Sequence, residues 1–276
     1  MLDHLVGGIP RPVREFEHVA KRNPRKTLND ELEIRKTGLT ESIPSSKFPG
    51  PRMRISVIIP TLNEADWIVE TLKSVHAQPG PFEVIVADGG SSDATIELAR
   101  GGARVIPSPE RGRGVQMNRG AREASGDVLL FLHADTLLPP DAFSAIRTAV
   151  DEEGAEGGTF RLRFDRSGLL LRMYSWCTRL PIPQICFGDR GLFVQKEVFS
   201  ALDGYPETPI FEDLELVRAL SERGRFAFLE QTVTTSARRF ERNGHLRQQL
   251  TNLYLWLNYM GGTDPAEVAD RYSYAE

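Results

Sequence analysis

Ile55-Ser56-Val57-Ile58-Ile59-Pro60-Thr61-Leu62-Asn63-Glu64 opens the regular part of this chain. The β-branched run from Ile55 to Ile59 is halted by a proline, which cannot donate to a sheet ladder, so it reads as a short buried strand. Residues 64–78 follow with Trp67, Ile68, Thr71, Leu72 and Val75 at helical spacing. The alternation then repeats. Phe82-Glu83-Val84-Ile85-Val86-Ala87-Asp88 is a second strand, closed by Gly89-Gly90-Ser91-Ser92, and Ser92 or Asp93 can cap a helix over 94–100. A strand at 103–106, a helix at 114–124 and a strand at 127–132 complete the first half.

Strands that are apolar on both faces and alternate with helices imply a mostly parallel sheet flanked by helices, an α/β fold. In open sheets of this kind the ligand sits beyond the carboxyl ends of the strands. Three such ends carry polar groups: Thr61-Leu62-Asn63-Glu64, Asp88-Gly89-Gly90 and His133-Ala134-Asp135. The second half is less regular, with strands at 157–164, 191–194 and 225–229 and helices at 169–179, 211–223 and 246–260.

Net charge is −4, so no global basic field points to nucleic acid. The two cysteines, Cys177 and Cys186, lie in no metal-binding spacing, which excludes a zinc ribbon or disulfide framework. No apolar run reaches the roughly 18–20 residues of a membrane span, and no secretory leader stands at the N-terminus, so a cytoplasmic protein is expected. Composition divides the chain into a Pro- and charge-rich extension at 1–52 with a short charged helix around 14–36, a single domain at 53–240, and a C-terminal helical segment at 241–276.

Five stretches in order, Val57-Ile58-Ile59-Pro60-Thr61-Leu62-Asn63-Glu64, Val86-Ala87-Asp88-Gly89-Gly90-Ser91-Ser92-Asp93, Asn118-Arg119-Gly120-Ala121, Phe131-Leu132-His133-Ala134-Asp135 and Phe211-Glu212-Asp213-Leu214-Glu215-Leu216, resemble the family 2 glycosyltransferases of GT-A fold, specifically a bacterial subgroup with a His-Ala-Asp variant of the Asp-x-Asp motif. The resemblance implies a Rossmann-like domain that moves a sugar from a UDP- or GDP-sugar to an acceptor, with Mg²⁺ or Mn²⁺ and inversion at the anomeric carbon. Asp135 resembles the last acid of the motif and is the expected metal ligand; Asp141 better suits the cap of the helix beside it. His133 stands where the family usually has an acid, and could hydrogen-bond a hydroxyl or ligate Mn²⁺. Pro60, Thr61, Leu62 and Glu64 resemble the loop around base and ribose, with Asn63 also able to cap a helix. Asp88, beside Gly89, resembles the acceptor of the base N3–H; its other reading is a turn residue.

Arg113, in the glycine-bearing loop 110–118, is the expected pyrophosphate contact, because guanidinium pairs with phosphate and a helix N-terminus follows; Arg111 is the second choice. Asp213 resembles the base that deprotonates the acceptor hydroxyl, and otherwise stabilises a helix N-terminus. Asp189 falls near the expected sugar and acceptor. Arg238-Arg239-Phe240-Glu241-Arg242 is a basic patch able to close on pyrophosphate, face anionic lipid or lie solvated, and His245 is a candidate late metal ligand. Helix 246–260 is too apolar all round for a lone surface helix. Core packing or a homodimer interface explains it, with peripheral membrane contact as the alternative. The acceptor is open among small molecule, lipid and glycan. A nucleotidyltransferase would need an activation loop ending in Lys, which 60–63 is not, and a non-catalytic nucleotide-sugar binder draws support from His133.

Overall fold

A computed structural model describes residues 53–108, 110, 112–263 and 267–269. The expected extension 1–52 and Arg111 lie outside them, as does the side chain of His245.

The opening strand, β1 (Ile55–Thr61), is buried along its whole length. It pairs in parallel with β2 (Phe82–Asp88), Thr61 opposite Asp88, and on its other side with β4 (Val128–Phe131). β3 (Arg104–Pro107) extends the parallel set beyond β2. The sheet then turns antiparallel through β7 (Leu192–Gln195) and β6 (Gly157–Phe164), returns to parallel with β8 (Phe226–Thr235), and ends on the short β5 (Thr136–Leu137). The order is β3-β2-β1-β4-β7-β6-β8-β5.

Successive side chains of a strand point to opposite faces, and the two halves of the core follow from that. Val57 and Ile59 of β1 pack with Ile68, Leu72 and Val75 of α1 (Ile68–His76) and with Phe143 and Ile146 of α4 (Ala142–Asp151). Ile58, with Ile85 and Phe131, packs on the other face against Met117 of α3 (Arg113–Glu123) and Leu216 and Leu220 of α7 (Glu212–Glu222). Between these lie α2 (Thr95–Ala99), α5 (Leu169–Cys177) and α6 (Lys196–Ala201); α8 (Arg238–Asn243) and α9 (His245–Met260) follow β8.

Several local expectations are corrected. The first helix begins at Ile68, because Asn63 adopts φ 56° and its Oδ1 accepts from the Ser92 N–H instead of capping. Asp141 precedes α4 but makes no capping bond; its carboxylate accepts from Gln231 Nε2 at 3.1 Å. The strand expected at 225–229 runs on to Thr235, since its pairing with β6 resumes beyond an irregularity between Thr159 and Arg161. In α9 the expected core packing holds for Leu255 and not for Leu246, Leu250, Leu253, Tyr254 or Leu257, which are exposed.

Candidate active site

The parallel register brings the ends of β1 and β2 together, and there Asp88 is buried and bonded on both oxygens. Oδ1 accepts from the hydroxyls of Thr61 at 2.9 Å and Ser91 at 2.5 Å; Oδ2 accepts from the N–H groups of Gly90 at 2.9 Å and Ser91 at 2.8 Å. An ionised carboxylate has about four acceptor positions, so the turn occupies all of them. Behind the turn, Gln116 of α3 donates from Nε2 to the carbonyls of Thr61 and Ala87, both at 2.8 Å, and lies against Gly89. Asp93 accepts from the backbone and hydroxyl of Thr95 and from the Ala65 N–H, while α2 has Ala94 at its N-cap and no side-chain capping bond, unlike the expected Ser92 or Asp93 cap.

A cleft of about 500 Å³ opens across the other side of the strand ends. It gathers Arg113 from the start of α3, His133 and Asp135 after β4, Asp189 from a 3₁₀ turn at Gly188–Arg190, Asp213 from the first turn of α7, and Arg238 and Arg239 of α8. Pro60, Thr61, Leu62, Asp88, Gly89 and Ala134 are not among its lining residues. Pro60, Thr61 and Ala134 are buried, and the Ala134 carbonyl accepts from Thr71 Oγ1 at 2.7 Å. Glu64 reaches the cleft indirectly: Arg238 Nη2 bridges Glu64 Oε1 at 2.6 Å and Asp135 Oδ2 at 3.3 Å, with the guanidinium also over the Trp67 ring.

Three of the cleft side chains hold buried polar atoms with no partner: His133 Nε2, Asp189 Oδ1 and Asp213 Oδ1. Glu64 Oε2, Tyr205 Oη and Thr208 Oγ1 are bare in the same way but do not line the cleft, so it is the grouping of three such atoms around one cavity that singles it out as the candidate site. Their proton affinities are displaced accordingly. Burial and then Arg113, Arg239 and Arg238 push His133 down to about 3, leaving a neutral imidazole at physiological pH. Burial pushes Asp189 up to about 6 against the pull of Arg190. Burial first and Glu212 second hold Asp213 well above the usual carboxylate range, with Arg113 opposing.

Local backbone explains how Asp213 is set. Phe211, immediately before α7, sits in the left-handed region at φ 63°, a costly conformation for a bulky residue, and its ring lies 4.7 Å from that of Tyr259 on α9. Asp213 Oδ2 accepts from the Gly188 N–H at 3.1 Å. A Cβ at position 188 would collide with that carboxylate, so glycine is what lets the acid lie against the turn carrying Asp189.

The model of the Glycosyl transferase family 2 matches residues 56–200. The chain belongs to this family. An uncharacterized glycosyltransferase of Mycobacterium tuberculosis (strain CDC 1551 / Oshkosh) is 37% identical over 151 residues, covering 52% of this chain and 55% of the relative, so the chain spans about half the length of the curated relatives it matches. Among solved structures, glucosyl-3-phosphoglycerate synthase from M. tuberculosis, in complex with Mn²⁺, UDP-glucose and phosphoglyceric acid, superposes with a TM-score of 0.57 at 21% identity, over 76% of this chain and 80% of that one. S. aureus TarS 1-349 in complex with UDP superposes with a TM-score of 0.57 at 21% identity, over 67% and 61%. These likenesses establish the GT-A fold of this family 2 chain.

Asp213 lies beyond the family-matched segment, and so does the arginine pair at 238–239. Sequence reasoning missed Gln116, whose amide has no motif of its own, and it missed the Arg238–Asp135 pair, which joins residues far apart in the chain.

Proposed function

We propose that this family 2 protein transfers a glycosyl group from a UDP- or GDP-sugar to an acceptor hydroxyl, with inversion and with Asp213 as base. The convergence of partnerless His133, Asp189 and Asp213 atoms with Arg113 in one cleft carries this reading. In the transfer the acceptor oxygen forms a bond to the anomeric carbon as the bond from that carbon to the phosphate oxygen breaks. The acceptor proton passes to Asp213 Oδ1, and the electron pair leaves with the nucleoside diphosphate. A carboxylate whose proton affinity is raised toward the working pH is a stronger acceptor for that proton. Arg113 and Arg239 face the charge that builds on the leaving group. The UDP and UDP-glucose complexes of the structural neighbours support the donor class.

Mg²⁺ or Mn²⁺ fits the donor set at Asp135. Asp135 would hold the ion through one carboxylate, and oxygens of the bound donor would have to supply further ligands. Among the described residues no three His, Cys, Asp or Glu side chains form a closed metal cage. Bound there, the ion would neutralise charge on the leaving diphosphate. Arg238 holds Asp135 at 3.3 Å and would have to yield to it. The Asp88 turn then serves as the support of the nucleotide side. Calorimetry of UDP and GDP with and without Mn²⁺ tests the proposal; no nucleotide binding under any of these conditions would overturn it.

A further inference from the structure

The cleft has two chemistries. Its polar end carries the residues of the transfer reading, while Met173 of α5 and Leu253 and Trp256 of α9, with the buried Phe240 of α8, make another part of its lining largely apolar. Met173 and Leu253 line the cleft and are also 54% and 47% exposed, so apolar side chains of the cleft reach the surface. On α9, Leu246, Leu250, Leu253 and Leu257 recur at steps of four, three and four, which places them on one helix face; that face points to solvent, while Gln248 and Leu255 point inward. This reverses the usual amphipathic order, in which the polar face is the outer one. Neither α5 nor α9 contains an acidic residue, and each carries an exposed arginine, Arg172 and Arg247.

We infer that the acceptor is a hydroxyl-bearing lipid, met at an anionic bilayer on whose surface α5 and α9 lie. The inference rests on the reading of the Asp213 cleft as the transfer site. A sugar or other polyhydroxyl acceptor needs polar partners along its length, and this part of the lining offers mostly hydrocarbon, with Gln249 and Asn252 as its polar side chains on α9. A helix with an apolar face, aromatic residues and arginines beside it lies in the interface plane of a membrane. No described helix is long and apolar enough to cross one. A second copy of this chain would also cover the stripe, but it would bring no acidic residue of α5 or α9 to Arg172 and Arg247. Anionic headgroups supply the missing opposite charge. The acceptor then need not leave the bilayer: its chain lies along Met173 and Leu253 while its hydroxyl reaches toward Asp213.

The test is vesicle flotation of the full chain with phosphatidylcholine alone and with about one quarter phosphatidylglycerol; the expected result is capture about tenfold or more stronger on the anionic vesicles, weakened by salt. Leu250→Glu with Leu257→Glu, both at exposed positions, should abolish capture while Tm and UDP affinity with Mn²⁺ stay unchanged. In a nucleoside-diphosphate release assay with primary alcohols from ethanol to decanol, the half-saturating concentration should fall by up to about fourfold per methylene. Wild-type protein that ignores both vesicle types, equal use of short and long alcohols, or a wild-type dimer that the double variant converts to monomer would each overturn the inference. Failure of the wild type to bind nucleotide while still floating would instead overturn the transfer reading, and the acceptor with it.

Discussion

Asp88 and Asp213 are both buried acids at the edge of the same sheet, yet their surroundings differ. Asp88 accepts from four donors of its own turn and Thr61. Asp213 accepts one backbone N–H and keeps its second oxygen bare. The first is the arrangement that makes a fold rigid, since every bond ties the side chain to the chain around it. The second leaves a buried acceptor unsatisfied, which costs stability. The Asp88 turn is thus satisfied by folding alone, whereas Asp213 keeps an acceptor to spare.

The largest expected effect tests the Asp213 half of this contrast. Asp213→Asn should lower kcat by about 10²–10⁴-fold, measured as nucleoside-diphosphate release, with the fold intact by circular dichroism. Asp213 is raised in the folded state to about 8, so its ionisation lowers stability as pH rises between the unfolded carboxyl value and that point. The asparagine variant should therefore gain in Tm over wild type as pH is raised, and a loss of Tm would place Asp213 with Asp88 among the fold-holding acids. The wild-type rate should climb with pH up to about 8, falling roughly tenfold per pH unit below it when the base is limiting.

Asp135→Ala should weaken Mn²⁺-dependent UDP binding by about 100-fold in calorimetry, as loss of an ion contributing several kcal/mol requires. Equal affinity with and without the side chain would break the assignment of the metal to this strand end. Asp88→Asn belongs to the opposite class. It should lower Tm by about 5–10 °C through loss of charge-assisted bonds in the turn. If donor affinity falls more than stability explains, Asp88 also reads the base, as its resemblance implies.

The smallest effect concerns His133, which the fold depresses to about 3. The unfolded chain then takes up the proton first, so stability falls as pH drops below the ordinary imidazole value. His133→Gln should remove part of that acid sensitivity, seen as a shallower decline of Tm between about pH 6.5 and pH 4. The sign is opposite to that of Asp213, and one pH series distinguishes the two.

Much of this architecture was readable in the chain. The β-branched runs ending at Pro60 and Asp88 located the parallel strands, whereas of the acids after the strands Asp135 lines the cleft and Asp88 and Glu64 do not. What escaped was whatever depends on partners distant in sequence. Nothing in Asp88-Gly89-Gly90 says whether its carboxylate faces a nucleotide or its own backbone. Arg238 meets Glu64 and Asp135 only because β8 runs to Thr235, six residues beyond its apolar start. The apolar excess of α9 was visible, but which of its faces is turned outward is set by packing around Leu255.

The amide of Gln116 spans the carbonyls of Thr61 and Ala87 with a single nitrogen. Exchange of that one atom for oxygen, as in Gln116→Glu, leaves the size and shape of the side chain unchanged and sets three oxygens against one another in a site closed to water. Such an isosteric change would push apart the loops after β1 and β2 although no residue of the cleft had been touched. The spacing of the loops after β1 and β2 therefore depends on the polarity of one atom in a helix behind both.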